Sequence, residues 1–235
     1  MISRITANQA WDGEADCLHC SLRDSVLFAG LTRADFEKLH EPIAQSTLAP
    51  GTLLYRAGDV GDALFTIRRG LIKQLKFLPD GTQRILRVSR STDVIGLETL
   101  VLDTYQHDAI ALQSTDLCRF STKLIKQLSS KNPTLHKELM RRWQLALSHA
   151  DAWILELSTG SAKARIARLL LHFASVDTAN ISHLVSREDM GAMLGITPET
   201  TSRIIANFKR NGFIKELNSE QCAINTEKLQ EIAND

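Results

Sequence analysis

Two groups of side chains in this 235-residue chain are of types and spacings that could do chemistry. The first is the cysteines. Cys17 and Cys20 stand two residues apart, the spacing of a metal-binding or redox pair, while Cys118 and Cys222 lie far downstream. Four cysteines are too sparse for a disulfide framework. Cys17, Cys20 and Cys118 could hold a metal, take part in thiol–disulfide exchange, or pack as small apolar groups; the pattern leaves all three open. Cys222 reads as buried filler, and His19, His40 and His107 are residues that could ligate a haem iron. The second group is Glu199, Ser202 and Arg203. An arginine can fork onto O6 and N7 of guanine, and a glutamate can accept from cytosine N4 or adenine N6. A serine can donate to a base edge or touch a thymine methyl. Lys209, Arg210 and Lys215 follow closely and could neutralise phosphates.

The elements around the second group explain why it could act on DNA. Ser186 is placed to cap a helix whose first turn is acidic (Glu188, Asp189) and whose buried face is Met190, Met193 and Leu194. Gly195 then ends that helix with a positive φ, as a helix-turn-helix corner requires. Thr197 caps a second helix, Pro198 takes its first position, and Ile204, Ile205 and Phe208 form its buried face. Glu199, Thr200, Ser202 and Arg203 cluster at its N-terminal end, the end that enters the major groove, with Thr197 and Thr200 in support. Gly212 closes the helix, and Phe213–Leu217, a turn at Asn218-Ser219 and Cys222–Asn225 form a hairpin wing.

Upstream, Leu53–Tyr55, Ala63–Ile67, Leu71–Phe77 and Gln83–Val88 read as short strands broken by glycine-bearing turns, with a hairpin at Pro79-Asp80-Gly81. Such a run suggests a jelly-roll barrel. After Asn132-Pro133 a long helix begins, on which Met140, Trp143, Leu147, Ala150, Ile154 and Leu157 recur at alternating spacings of three and four. That stripe is a seam for a partner helix, and no member of it is ionisable; a dimer that forms without any effector is therefore expected. Packing of the same helix on its own barrel is the competing reading. The composition is that of a globular protein: 43% hydrophobic, 23% charged, net charge +1. Any nucleic-acid binding must then come from a local basic patch. No run is long enough to span a membrane and the N-terminus lacks an apolar signal core, so a cytoplasmic location is expected.

From about Cys17 onward the chain resembles the CRP/FNR superfamily of bacterial transcription regulators. The resemblance rests on Gly51–Asp59, Leu64–Gly70 and Asp93–Glu98 in the barrel, and on Glu199, Ser202 and Arg203, which resemble the recognition helix of the oxygen-regulator (FNR-like) branch. It implies an α+β chain. A sensory double-stranded β-helix (jelly roll, cyclic-nucleotide-binding-like) would span 17–132, a dimerisation helix 133–158, and a winged helix-turn-helix 159–235. It further implies a homodimer on inverted repeats of TTGAT-type half-sites in double-stranded DNA, with RNA polymerase as partner, an activator role and no enzymatic activity. The nucleotide-binding branch would need an Arg-Ser pair where this chain has Thr104–Asp108, so cyclic AMP is disfavoured: its phosphate would be left unneutralised. The oxygen-sensing branch binds an iron–sulfur cluster with four cysteines. Cys17, Cys20 and Cys118 match three, and Val26 stands where the fourth is expected, so either no cofactor or a cluster completed by His19 or Asp24 follows. The alternatives of another class are a cyclic-nucleotide signalling module without DNA activity and a cupin-type barrel enzyme.

Overall fold

The computed structural model describes residues 2–5, 43–174, 180–218 and 221–234. The first half is built from short strands: β1 (Ile2–Ile5), β2 (Ile43–Leu48), β3 (Leu53–Tyr55), β4 (Ala63–Arg69), β5 (Ile72–Phe77), β6 (Gln83–Ser89), β7 (Val94–Ile95), β8 (Asp108–Ala111) and β9 (Thr115–Ser121), with a 3-10 turn at Leu97–Leu100. They form two antiparallel sheets ordered β1-β2-β9-β4-β7 and β3-β8-β5-β6, the jelly roll expected from the turn spacing. The apolar residues that alternate along these strands meet between the sheets. Tyr55, Ala63, Phe65, Ile67, Ile72, Ile95, Tyr105, Ala109 and Leu117 form that core. Gly96 needs its positive φ of 80°, because a Cβ there would press on the Ala63 carbonyl and the Tyr105 ring.

Ser121 caps α1 (Thr122–Lys131), and α2 (Pro133–Leu157) follows after Asn132. The C-terminal part comprises α3 (Ala162–His172), β10 (Ile181–His183), α4 (Arg187–Leu194), α5 (Pro198–Arg210), β11 (Ile214–Glu216), β12 (Gln221–Ile224) and α6 (Thr226–Ala233). A three-stranded sheet in the order β10-β12-β11 makes the wing. Close packing divides the chain into two compact units, Met1–Lys76 with Val88–Leu147, and Phe77–Arg87 with Ser148–Asp235. The division falls inside α2, where the sequence placed none.

The apolar stripe on α2 differs from the expected seam at its C-terminal end. Met140, Trp143, Leu147 and Ile154 stand exposed, but Leu157 is only 2% exposed and is spent on the chain's own core. Ala150 is half-buried while its neighbour Asp151 is exposed. The reason is rotational. At about 100° per residue, Asp151, four residues after Leu147, stays close to the Met140–Leu147–Ile154 line, whereas Leu157 has turned away from it. The exposed stripe therefore contains an ionisable residue, Asp151.

Candidate nucleic-acid interface

The helix-turn-helix is assembled by local hydrogen bonds that the sequence foretells. Ser186 Oγ accepts from the Asp189 N–H at 3.0 Å, capping α4, and Gly195 ends it at φ 64° with its N–H on the Gly191 carbonyl. Gly191 is the residue sequence reasoning missed. A Cβ there would lie 2.6 Å from the Ile196 carbonyl oxygen, so the corner closes only over a glycine. Its signal was a glycine within a helical pattern, which in isolation is merely a weak helix former. Arg165 was missed as well: from α3 its Nη1 donates to the Leu194 carbonyl at 2.6 Å and satisfies the end of α4.

Thr197 caps α5, its Oγ1 accepting from the Thr200 N–H at 3.2 Å, with Pro198 at the first helical position. Thr201, Ile205 and Phe208 are buried, which turns Glu199, Ser202, Arg203, Lys209 and Arg210 outward; Thr200 is half-buried beside them. Glu199, Ser202, Arg203 and Arg210 lie along one helical stripe. The Glu199 carboxyl is held below the usual carboxylate range by its own backbone N–H and by the Thr197 hydroxyl, so it is an anionic acceptor at the helix tip.

The phosphate-neutralising residues fare unequally. Lys215 on β11 is exposed. Lys209 is paired: its Nζ lies 2.5 Å from Glu216 Oε1 on the wing. The same carboxylate oxygen takes Arg187 Nη2 at 3.2 Å. No local pattern announces this junction, because its three members are brought together only by the folded wing.

In the barrel, Cys118 on β9 is fully buried and stands opposite Gln45 and Thr66 in register. Its neighbour Leu117 belongs to the core between the sheets, so by strand alternation Cys118 faces the outer side of its sheet. Cys17 and Cys20, together with His19, Asp24, Val26 and His40, lie outside the described residues. Among the described residues no group of three or more His, Cys, Asp or Glu side chains could hold a metal ion. Cys118 is thus one thiol that could serve a cluster only if the others came from the N-terminal pair. Cys222 is also fully buried, as its filler role requires, and burial pushes its thiol up to about 11. Between the sheets, Tyr55 and Tyr105 stack on one another, and the core cluster around them contains no cation.

Comparison with known proteins agrees with this construction. Residues 45–132 match the cyclic nucleotide-binding domain and residues 164–232 the Crp-like helix-turn-helix domain. The chain is 29% identical over 208 residues to the transcriptional activator protein Anr of Pseudomonas aeruginosa, covering 86% of this chain and 85% of that one. It is 25% identical over 224 residues to the fumarate and nitrate reduction regulatory protein of Vibrio cholerae, covering 92% and 90%. The fold is that of FixK2 from Bradyrhizobium japonicum, with a TM-score of 0.72 at 22% identity over 81% of this chain and 96% of the other. A cyclic nucleotide-binding domain followed by a Crp-like helix-turn-helix domain is the construction of this chain, and over most of its length it is similar to these transcriptional activators and regulatory proteins.

Proposed function

We propose that this protein is a homodimeric transcriptional activator that reads an inverted repeat of TTGAT-type half-sites and acts with RNA polymerase in the cytoplasm. The observation that carries the reading is the outward stripe of Glu199, Ser202 and Arg203 at the capped N-terminus of α5. Arg203 reads a guanine, Glu199 a cytosine or adenine amino group, and Ser202 a neighbouring base edge. Thr197 and Thr200 hold the helix tip, and Arg210 and Lys215 meet phosphates. The second copy is recruited through the exposed apolar residues of α2, Met140, Trp143, Leu147 and Ile154. The three parts are the barrel, α2 and the winged domain from about residue 159.

The signal we infer is redox or gaseous, with Cys17, Cys20 and Cys118 as the thiols concerned. An iron–sulfur cluster held there would supply a redox-sensitive link between the N-terminal segment and β9. A cyclic nucleotide is opposed by the barrel interior, where Tyr55, Phe65 and Tyr105 fill the core and no side chain of the cluster can neutralise a phosphate. The same interior opposes a cyclic-nucleotide module as the chain's whole role.

Fluorescence anisotropy with duplexes carrying the inverted repeat, and with each half-site base changed in turn, tests the DNA reading. Arg203→Ala should cost roughly 1–3 kcal/mol on the repeat and lose its preference at one guanine per half-site. Equal losses on every duplex would defeat the assignment.

A further inference from the structure

Glu216 stands where a regulator of this kind gains nothing obvious from a negative charge. It ends β11 at the edge of the wing, and its Oε1 receives both Lys209 Nζ at 2.5 Å and Arg187 Nη2 at 3.2 Å. The three residues come from three elements: Arg187 from the first position of α4, Lys209 from the last turn of α5, Glu216 from the wing. Lys209 follows Ser202 by two helical turns, so it lies along the edge of the base-reading stripe.

Stability does not account for the arrangement. All three side chains are between 26% and 39% exposed, and ion pairs of that exposure contribute little to folding. What the carboxylate does change is the availability of charge. One anion is shared by two cations on a single oxygen, so the junction offers DNA one net positive charge instead of two. A phosphate approaching Lys209 or Arg187 must displace Glu216 first.

We infer that Glu216 sets the sequence-independent part of DNA affinity by withholding Arg187 and Lys209 from phosphates. This rests on the DNA-binding reading above. Non-specific binding comes almost wholly from phosphate neutralisation, whereas the cognate complex also has base contacts. Masking cations at the edge of the reading helix therefore lowers a term that both complexes share and that makes up nearly all of the random-sequence affinity. The Glu216 carboxyl is itself held below the usual carboxylate range, first by the hydrogen bond from Lys209, so it remains charged at neutral pH.

The test compares wild type, Glu216→Gln, Lys209→Ala and Glu216→Gln/Lys209→Ala on the inverted repeat and on a scrambled duplex between about 50 and 200 mM salt. Glutamine keeps the shape and removes the charge. For Glu216→Gln, affinity for scrambled DNA should rise several-fold. On both duplexes the plot of log affinity against log salt should steepen by about 0.9 for each phosphate newly held. Lys209→Ala should flatten the scrambled-DNA slope markedly in the glutamine background and only slightly in wild type. An unchanged slope, or parallel loss of both DNAs with unchanged thermal unfolding, would overturn the proposal and make Glu216 a mere brace of the wing. Failure of the underlying reading looks different: a wild type that binds both duplexes equally well, or neither.

Discussion

The rings of Tyr55 and Tyr105 stack with centroids 3.8 Å apart and planes 10° from parallel in the middle of the barrel. Each phenol is tied down at its far end. Tyr105 Oη donates to the Ala63 carbonyl at 2.7 Å, and Tyr55 Oη accepts from Gln74 Nε2 at 3.2 Å. Two large aromatic side chains thereby become part of the core between the sheets.

Burial pushes the Tyr105 phenol up to about 12, against the opposing hydrogen bond to Ala63. A group whose folded value is raised contributes stability that is complete below its unfolded value, near 10, and is lost as pH climbs from there through about 12. The chain has only two tyrosines, so absorbance near 295 nm can follow them individually. One late ionisation should be visible while circular dichroism still reports a folded barrel, and Tyr105→Phe should abolish it at a cost of about 1 kcal/mol for the lost hydrogen bond. Ionisation of every tyrosine near pH 10 in folded protein would contradict the stacked core.

A buried arginine makes the second prediction. Arg142 on α2 is 7% exposed, and its Nε donates to Glu138 Oε1 at 3.0 Å. Arg141 forks onto both oxygens of the same carboxylate at 2.6 and 2.7 Å. Burial alone would raise the Glu138 carboxyl, but the hydrogen bonds from Arg141 and Arg142 outweigh it and leave it below the usual range. Its contribution is therefore present above the ordinary carboxylate value and lost as pH falls through the depressed one. Glu138→Gln strands a buried guanidinium and should cost about 3 kcal/mol in urea unfolding at neutral pH, with a shallower loss of stability on acidification. Arg142→Met in the same chain should recover part of that cost. Wild-type stability for Glu138→Gln would show that the pair is merely superficial.

Much of this architecture was legible because it is written in short-range chemistry. Ser121, Ser186, Thr197 and Gly195 mark helix ends through caps and a positive φ, and each does so where expected. The strands around Pro79-Asp80-Gly81 follow from alternation and a turn. What escaped depends on long-range meetings or on rotation. Glu216, Lys209 and Arg187 have no local relationship, so only the folded wing reveals that one carboxylate pairs with two cations. Gly191 matters through a backbone approach that no pattern of side chains records. The α2 stripe was read from spacing alone, and spacing cannot say which edge of a broad apolar face the chain keeps for itself. Leu157 went inward and Asp151 outward as a result.

The thiols give a chemical prediction. Cys118 is fully buried on the outer side of β9, so a cluster using it must be screened from bulk water on that side. If Cys17, Cys20 and Cys118 hold a cluster, protein purified without oxygen should be brown and contain iron and inorganic sulfide, and Cys118→Ala should lose both while unfolding cooperatively. Colourless wild-type protein, with DNA affinity indifferent to air, would leave Cys118 as an apolar filler of the sheet.

Dimerisation carries the last prediction, and here the structure changes what the sequence suggested. A seam made only of Met140, Trp143, Leu147, Ala150, Ile154 and Leu157 would pair without restraint. With Leu157 buried in its own chain, the exposed stripe is shorter by one large side chain. With Asp151 exposed next to the line of Leu147 and Ile154, two-fold pairing along that line brings one carboxylate toward its symmetry mate. Like charges in a partly desolvated seam oppose association by an amount on the order of 2 kcal/mol, or about thirtyfold in the dissociation constant. Burial of Trp143, Leu147 and Ile154 favours it by about 1.5–3 kcal/mol for each side chain fully covered. The expected balance is a reversible monomer–dimer equilibrium rather than a permanent dimer. Sedimentation of effector-free protein at several micromolar concentrations should show both species. Asp151→Leu should drive the equilibrium to dimer, and Leu147→Asp should drive it to monomer. An Asp151→Leu protein that dissociates just as the wild type does would place the contact between copies on another face of α2.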